Sequence, residues 1–367
     1  LVAMSEVPQT AFLTPLTPSA SPKNYNQIFK DSRELVNYSK NTIDNKGYTT
    51  GTPLATRRTL IGHSTDFSLN EELSFQLATR RLYAALGQST NSVPSAGVNQ
   101  HVMAAQGVAN CGAFNSLPAY TVAAKACEIA NIANVRWDKL YPGFVLKSVT
   151  ITVEGNNLTT IQSSWIGSGK VITRTALVTT PHFYNNVKDE TDLGYNFIRN
   201  SQAALSIYPN VSLGGTVYTP QCEFRRFSIT IENTFNEETG YLCGDYQETG
   251  NPDSGSVRGS LPLIEQNITG EFAVGLPLQT DFDFFDKVIK DSPLSLSFKF
   301  TGGNIPTTAT PFSLQFDLNK ILLDNASPTP QNGELVLSAP FQIFAQGSSV
   351  PLTVTSKDNI VDPTVAA

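Results

Sequence analysis

Two stretches of the chain, Leu69–Leu86 and Phe272–Ile289, share the same change in the spacing of their apolar residues. Each stretch begins with apolar residues at alternate positions, which is the period of a β-strand. Each ends with apolar residues spaced i, i+3, i+4, which is the period of an amphipathic helix. The pattern predicts a strand running into a short helix in both halves of the chain, as expected after duplication of a small β-rich unit. The matching positions are Leu69, Leu73 and Phe75 with Phe272, Val274, Leu276 and Leu278, and then Leu82, Ala85 and Leu86 with Phe285, Val288 and Ile289.

Most of the remaining chain also has the spacing of β-strands. Phe144–Val153 carries β-branched residues at alternate positions, and a Gly-Asn-Asn turn at 155–157 leads into Leu158–Ile166, which predicts a hairpin. Leu294–Phe300 and Phe312–Leu318 alternate in the same way. Strands do not alternate with long helices, so the sequence predicts a mainly β sandwich or barrel and argues against a parallel α/β enzyme fold.

The first 60 residues have the composition of an N-terminal arm and loop. Prolines at 8, 15, 18 and 22 fix an extended path and remove backbone donors, and the polar stretch Thr49–Arg58 is typical of a loop. Such an arm lies either on its own domain or on a neighbouring subunit. Its apolar residues and the two arginines after them are the candidate assembly contacts, namely Phe12, Leu13, Leu16, Tyr25, Ile28, Phe29, Arg57 and Arg58.

The rest of the chain is expected to form two related units. The first covers residues 61–200 and includes a long, weakly charged insertion at 88–143, a kind of segment that tends to be functional or disordered. The second covers residues 201–356, and a polar C-terminal tail follows at 357–367. Gly87 is well placed to end the first helix, because glycine adopts the left-handed conformation found after helix ends.

Composition argues against several classes of function. Charged residues make up only 15% of the chain and the formal net charge is −6, so the basic footprint of a protein that grips nucleic acid is absent. An acidic wall still lets DNA pass, since it repels phosphate where a basic wall would hold it. Four cysteines without a CxxC motif and three histidines argue against a zinc site. No apolar run has the roughly 18 residues of a membrane span and no signal-peptide pattern is present, so we expect synthesis and assembly in the cytoplasm.

The motifs that resemble catalytic or binding sites are incomplete. Ile166–Val171 contains a Gly-Ser-Gly-Lys run, but Ser164 and Val171 stand where a phosphate-binding loop needs glycine and Ser or Thr. No GxSxG motif accompanies His63, His101 or His182. We therefore expect no catalytic residue and no cofactor.

Three aspartates at Asp281, Asp283 and Asp286 form a cluster of the kind that binds calcium or cleaves glycosides. The cluster lacks the glycine and the distal glutamate of a calcium-binding loop. Acids are also favoured at the N-terminus of a helix by the helix dipole. We prefer this second interpretation and expect no metal site.

Several runs of sequence resemble the tail tube proteins of long-tailed, non-contractile bacteriophages. Ser212–Gly240 (SLGGTVYTPQCEFRRFSITIENTFNEETG) has a short strand pair with a Gly turn, a strand and an acidic loop containing glycine. Ile268–Phe300 (ITGEFAVGLPLQTDFDFFDKVIKDSPLSLSFKF) has a strand, a short helix and a second strand. Phe67–Gly87 and Phe144–Lys170 fit the same family pattern in the first half. The resemblance covers roughly residues 45–356.

The resemblance implies a duplicated fold of two half-barrel or sandwich units, each with a short helix, and subunits that close into a ring. Stacked rings would form a tube around a central β-barrel, as part of the virion tail. The implied partners are other copies of the chain, the tape measure and other tail proteins, and double-stranded DNA as a transient passenger, with no membrane. If each half of the chain is one unit, three chains would give a pseudo-sixfold ring, and a hexamer is the alternative. The acidic composition then predicts an acidic lumen.

Two other classes of function remain open on the sequence. One is a tail-associated β-sandwich hydrolase acting on polysaccharide, which would need an aromatic-lined cleft with two carboxylates. The other is a receptor-binding or adhesion module, which would display one exposed site instead of a surface for stacking. The ring-forming tail tube protein is the main hypothesis.

Overall fold

β-Strands build most of the structure, which confirms the mainly β fold. A computed structural model describes residues 2–16, 25–27, 36–45, 57–105, 117–127, 135–173, 187–188, 196–215, 217–220, 224–238, 257–278, 281–331, 333–345 and 350–360. The α-helices in this part of the chain are α1, Phe75–Leu86, and α2, Phe284–Ile289, and neither is long and apolar enough to cross a membrane. The strands are β1 Val2–Ser5, β2 Tyr25–Gln27, β3 Asn37–Asn45, β4 Arg57–Glu72, β5 Ser89–Ser95, β6 Val98–Ala104, β7 Tyr120–Cys127, β8 Val135–Glu154, β9 Thr160–Gly167, β10 Ile172–Thr173, β11 Val187–Lys188, β12 Ala203–Tyr208, β13 Phe224–Phe235, β14 Leu263–Gly275, β15 Leu294–Asn304, β16 Pro311–Leu323, β17 Ser327–Gln331, β18 Glu334–Ile343 and β19 Leu352–Asp358.

Eight antiparallel strands form the main sheet in the order β3-β4-β9-β8-β13-β14-β18-β17. The predicted hairpin after Phe144–Val153 is confirmed, since β8 and β9 pair next to each other in this sheet. The sheet does not close into a barrel within the chain. Its two outer strands are therefore edges.

The same order of strands and helix occurs twice in the main sheet. In the first four strands the hairpin β3–β4 leads to α1, and the later hairpin β8–β9 returns so that β9 pairs with β4. In the last four strands β13–β14 leads to α2, and β17–β18 returns so that β18 pairs with β14. The same backbone hydrogen bond follows both β4 and β14: Leu73 N–H donates to Thr159 O, and Leu276 N–H donates to Leu335 O, each at 2.8 Å. We call these groups the first and second four-strand sets.

A second sheet packs on the inner face of the main sheet. Its order is β12-β15-β16-β19-β6-β5, and the end of β16 also pairs with β18. The two layers meet through aromatic rings, as where Phe227 on β13 stacks on Phe298 on β15 with ring centroids 3.9 Å apart. A single core cluster includes residues from both sheets and both helices, among them Leu82 and Phe284. The two halves of the chain thus share one core.

A smaller sheet, in the order β10-β8-β7-β1-β2-β11, is built around the first half of β8. The N-terminal strand β1 lies in the protein interior, because Val2, Ala3 and Met4 are all buried. Glu6, just after this strand, forms an ion pair with Arg80 on α1. The sequence allowed the N-terminal residues to lie either on their own domain or on a neighbouring subunit. Those that the structure describes pack on their own chain.

The first helix ends at the predicted glycine, but Phe75, which the spacing places in the preceding strand, is its first residue. The Ser74 hydroxyl accepts a hydrogen bond from Leu77 N–H at 3.1 Å, which caps the N-terminus of α1. Gly87 follows the last turn with φ of 74°, a left-handed conformation that favours glycine. Leu82, Ala85 and Leu86, the residues of the predicted helical face, are all fully buried.

The second helix forms at its predicted place, but its predicted apolar face is wrong. Phe285 and Ile289 were expected to match the buried face of α1, yet they are 43% and 82% exposed. Leu278, predicted on an inward strand position, is 72% exposed. The physical reason is that α2 has only six residues and begins at the Asp283 cap, so Phe284 points into the core instead.

Three other expectations are corrected. Arg57 and Arg58, predicted in a polar loop, lie in β4 opposite Asn45 and Asp44 on β3. Part of the weakly charged insertion forms the hairpin β5–β6, and β6 pairs with β19 near the C-terminus. Residues Lys357 and Asp358, assigned to a tail from the sequence, end that strand.

Candidate functional site

The face of the main sheet that points away from the core carries hydroxyl and amide side chains. Successive residues of a strand project to opposite faces, so a strand that buries one set exposes the other. On β13, Ile229 and Ile231 are buried, whereas Ser228 and Thr230 lie on the opposite, partly exposed side. We call this side of the main sheet the polar face.

The strand register arranges the polar face in continuous rows. In the central row each residue pairs with the next across a neighbouring strand, and the hydroxyl oxygens of Thr150 and Thr230 are 2.9 Å apart. The central row is Asn70, Gln162, Thr150, Thr230, Thr269 and Gln342. The flanking rows are Ser68, Ser164, Ser148, Glu232 and Asn267, and Glu72, Thr160, Thr152, Ser228 and Glu271.

Acidic side chains give the polar face its charge. Among the described residues, cations beside them lie next to carboxylates, as where Arg226 Nη1 is 3.8 Å from Glu271 Oε2 and Lys147 Nζ is 3.8 Å from Glu237 Oε1. The described part of this surface offers hydrogen bonds to a passing phosphate backbone, and its cations are paired with carboxylates that offset their attraction for phosphate. Carboxylates at strand positions on this side include Asp66, Glu72, Glu154, Glu232, Glu265 and Glu271.

Two edges border the polar face. In the described part of the chain, β3 pairs only with β4, and β17 pairs only with β18. An edge strand presents backbone N–H and C=O groups to any strand that can lie beside it. The polar face is therefore open to extension by another sheet on both sides.

Several candidate assembly contacts predicted from the sequence contact their own chain. Tyr25 is fully buried, and its hydroxyl donates to Leu16 O at 2.6 Å. Leu16 packs on the cluster around Tyr25, and Phe12 packs on a separate cluster that includes Phe235. Leu13 is half-buried, and Ile28 and Phe29 lie outside the described residues.

The aspartate cluster takes the helix-capping role preferred from the sequence. The Asp283 carboxylate accepts a hydrogen bond from Asp286 N–H at 3.0 Å, as the N-cap of α2. Asp286 in turn lies 2.6 Å from Lys290 one turn later. The interpretation as a helix start is confirmed.

The described histidines are both buried. His63 Nδ1 lies 2.5 Å from the Tyr38 hydroxyl. His101 lies on β6 in the second sheet, where its Nδ1 is 2.8 Å from Asn91 Oδ1 and its Nε2 is 3.3 Å from Asp358 Oδ1. Both side chains thus have local partners, and His182 lies outside the described residues.

The chain matches a known protein family. The model of a family described as phage tail tube protein matches residues 1–343, which is most of the chain. A search of curated proteins finds no significant match.

Proposed function

Because this chain belongs to the phage tail tube protein family, and is therefore a structural component of the virion tail, we propose that its copies close into rings around a channel for double-stranded DNA. Stacked rings would form the tube of a long, non-contractile tail, assembled in the host cytoplasm with the tape measure and other tail proteins. The protein acts without catalysis in this proposal. The observation that carries it is the polar face, an acidic and hydroxyl-rich surface across a sheet with two free edges.

The chemistry of the polar face suits the wall of a DNA channel. Its hydroxyl and amide rows keep a film of water between the wall and the duplex. Its carboxylates repel phosphate, so the DNA gains no counterion-release energy from contact with the wall. A wall of this composition confines DNA and lets it slide.

The repeated chain path supports one way of closing the ring. Within the chain, the last strand of the first set, β8, pairs with the first strand of the second set, β13. The corresponding outer strands are β17 and β3. If every junction between sets is alike, β17 of one copy pairs with β3 of the next copy, and a ring of three chains has pseudo-sixfold symmetry. A ring of six chains is the alternative.

The internal junction also specifies the register between copies. Thr150 on β8 lies opposite Thr230 on β13. The repeated hydrogen bonds of Leu73 and Leu276 define an alignment of the two sets. On that alignment Ser327 corresponds to Thr150, and Asn37 corresponds to Thr230. Ser327 of one copy should therefore lie opposite Asn37 of the next.

Cysteine cross-linking tests this arrangement, because Cα atoms of opposed residues in an antiparallel pair are about 4.5–5.5 Å apart, within reach of a disulfide. The Ser327→Cys/Asn37→Cys variant should form a disulfide between copies in assembled material, identified by peptide mass spectrometry. A ladder of cross-linked species that stops at three chains would support the trimer, and one that stops at six would support the hexamer. Ser327→Cys/Ser92→Cys is the matched control, because Ser92 is exposed like Asn37 but lies on β5 in the second sheet.

Negative-stain microscopy of the wild-type protein tests the proposal more broadly. Rings or tubes with a central hole are the expected result. Discrete globular particles at every concentration would contradict the proposal and favour the hydrolase or the receptor-binding module.

A further inference from the structure

The second helix leaves an apolar surface uncovered. Phe285 and Ile289 are one turn apart, so they lie on the same side of α2, and they are 43% and 82% exposed. Leu278, in the turn just before the helix, is 72% exposed. We call these three residues the α2 patch.

The corresponding residues of the first helix are buried. Leu73 and Leu276, which make the repeated hydrogen bond, are 203 residues apart, and so are Leu86 and Ile289 at the ends of the two helices. On this alignment Phe285 corresponds to Leu82, and both Leu82 and Leu86 have no exposed surface. The same helical face is thus covered in one half of the chain and open in the other.

The end of α1 is held by the hairpin of the other four-strand set. Asn233 Nδ2 on β13 donates to Ala85 O at 3.2 Å, and Gln266 Nε2 on β14 donates to the same oxygen at 3.1 Å. Asn233 and Gln266 are opposite each other in the β13–β14 ladder. This hairpin lies across the β8–β13 junction from the set that leads into α1.

No third set follows α2 in the described part of the chain, so the equivalent hairpin would come from a second copy. The alignment with a spacing of 203 residues matches Gln266 to His63 on β4. Lys40 on β3 lies opposite His63. Lys40 therefore corresponds to Asn233, which lies opposite Gln266. Residues that are directly opposed project to the same face of a sheet. His63 is buried, whereas Lys40 on that same inner face is exposed. The inner face of the β3 edge therefore has uncovered surface of its own.

We propose that the α2 patch packs against the inner face of the β3–β4 hairpin of a neighbouring copy, with Lys40 of that copy at the C-terminus of α2. This inference rests on the proposed ring and names a second contact in its junction, beneath the pairing of β17 with β3. The aliphatic stem of Lys40 covers Ile289, and its ammonium group takes the place of the Asn233 and Gln266 amides against the helix carbonyls. A cation at this position is favoured by the helix dipole.

Substitution of the most exposed patch residue tests the contact. Ile289→Lys keeps a favourable charge at the end of α2 in the monomer but places it against Lys40 in the assembly. It should raise the concentration needed for ring formation by about tenfold or more, with an unchanged circular dichroism spectrum and melting temperature of the monomer. Val93→Lys is the matched control, because Val93 is 67% exposed on β5, and it should change the assembly concentration by less than about twofold.

Cross-linking gives a second measurement that does not depend on loss of assembly. Ile289→Cys/Lys40→Cys, treated with a short bismaleimide, should give a link between position 40 of one copy and position 289 of another in assembled material, and none in dilute monomer. Normal assembly of Ile289→Lys, or absence of this link in wild-type-like tubes, would overturn the inference and leave the proposed ring intact. Failure of the unmodified protein to assemble at all would overturn the proposed function, and this inference with it.

Discussion

The side chain of Asn233 donates a hydrogen bond to the carbonyl oxygen of Ala85 at 3.2 Å, across 148 residues of chain. The same amide group lies 3.1 Å from Leu146 O, and Asn233 Oδ1 accepts from Gln266. One buried amide thereby connects the end of α1 to the strands on both sides of the β8–β13 junction. The junction is fixed by a polar contact as well as by its ladder.

Loss of the Asn233 amide should destabilise the fold. Asn233→Ala removes the bonds donated to Leu146 O and Ala85 O and the one accepted from Gln266, although Gln266 still donates to Ala85 O. The expected cost is about 1–3 kcal/mol in the free energy of unfolding. Gln342→Ala on the polar face, where the side chain is exposed, should change that free energy by less than about 0.5 kcal/mol. Urea unfolding of the two variants measures the difference, and equal stabilities would contradict the assigned role.

A methyl group added at Gly270 should also destabilise the fold. A Cβ at this position of β14 would collide with the Phe341 ring and lie 2.6 Å from the Ser228 carbonyl oxygen. We expect Gly270→Ala to lower the free energy of unfolding by about 1–3 kcal/mol through overpacking. Gly303→Ala is the control, since nothing lies within 4 Å of its Cβ position, and a thermal melt in which both variants match the wild type would refute the argument.

Alkaline pH should weaken the protein through Tyr120. Burial raises the pKa of the Tyr120 hydroxyl well above its ordinary value, Tyr83 raises it further, and Arg81 and Arg80 oppose the shift. Because the folded pKa is raised, the contribution of Tyr120 is fully present below the unfolded pKa near 10 and is lost as the pH rises above it. The slope is up to about 1.4 kcal/mol per pH unit.

Tyr120→Phe removes this titration and supplies its control. Its free energy of unfolding should fall less steeply than that of the wild type between pH 10 and 11, as about one proton fewer is released on unfolding. Between pH 6 and 8 the two proteins should have parallel profiles. Identical slopes above pH 10 would show that Tyr120 ionises in the folded protein.

If the polar face lines the proposed channel, basic residues in the central row should make that channel retain DNA. Asn70→Lys/Gln342→Lys places two cations at opposite ends of the row, both at exposed positions. Assembled tubes of this variant should bind duplex DNA with an affinity that falls steeply as salt is added, and phage carrying it should release DNA more slowly.

The control for this variant adds the same charge elsewhere. Ser92→Lys/Ser95→Lys places both lysines on exposed positions of β5, in the second sheet. Phage carrying it should release DNA at the wild-type rate in the same ejection assay. Equal retention by both variants would indicate that the polar face does not line the channel.

The sequence predicted individual elements well, because their signals are local. The alternation in Leu294–Phe300 and Phe312–Leu318 marks parts of β15 and β16. The helix end at Gly87 and a helix start at the aspartates of 281–286 were identified from residue type. Each cap depends on the conformation or side-chain bonds of a few neighbouring residues. Such signals are complete within one short stretch of sequence.

Pairing and side-chain exposure were harder to predict, because they depend on residues far along the chain. Nothing near β6 indicates that it pairs with β19, some 250 residues later. The alternating polar positions of each strand were visible, but the rows on the polar face exist only once the cross-strand register is known. The face of α2 was misassigned for the same reason, since its i, i+4 spacing shows that Phe285 and Ile289 share a side but not what covers that side.

The β8–β13 ladder has a consequence for the kinetics of assembly. It joins the two four-strand sets during folding. Because both sets belong to one chain, this pairing is intramolecular and occurs at a very high effective concentration. In any closed ring built from these sets, half of the junctions are then already made before two molecules meet. Only the other half carries the translational and rotational entropy cost of association. A duplicated chain of this kind needs fewer encounters to nucleate a ring, and the growth rate of its tubes should depend less steeply on protein concentration than that of a single-set subunit.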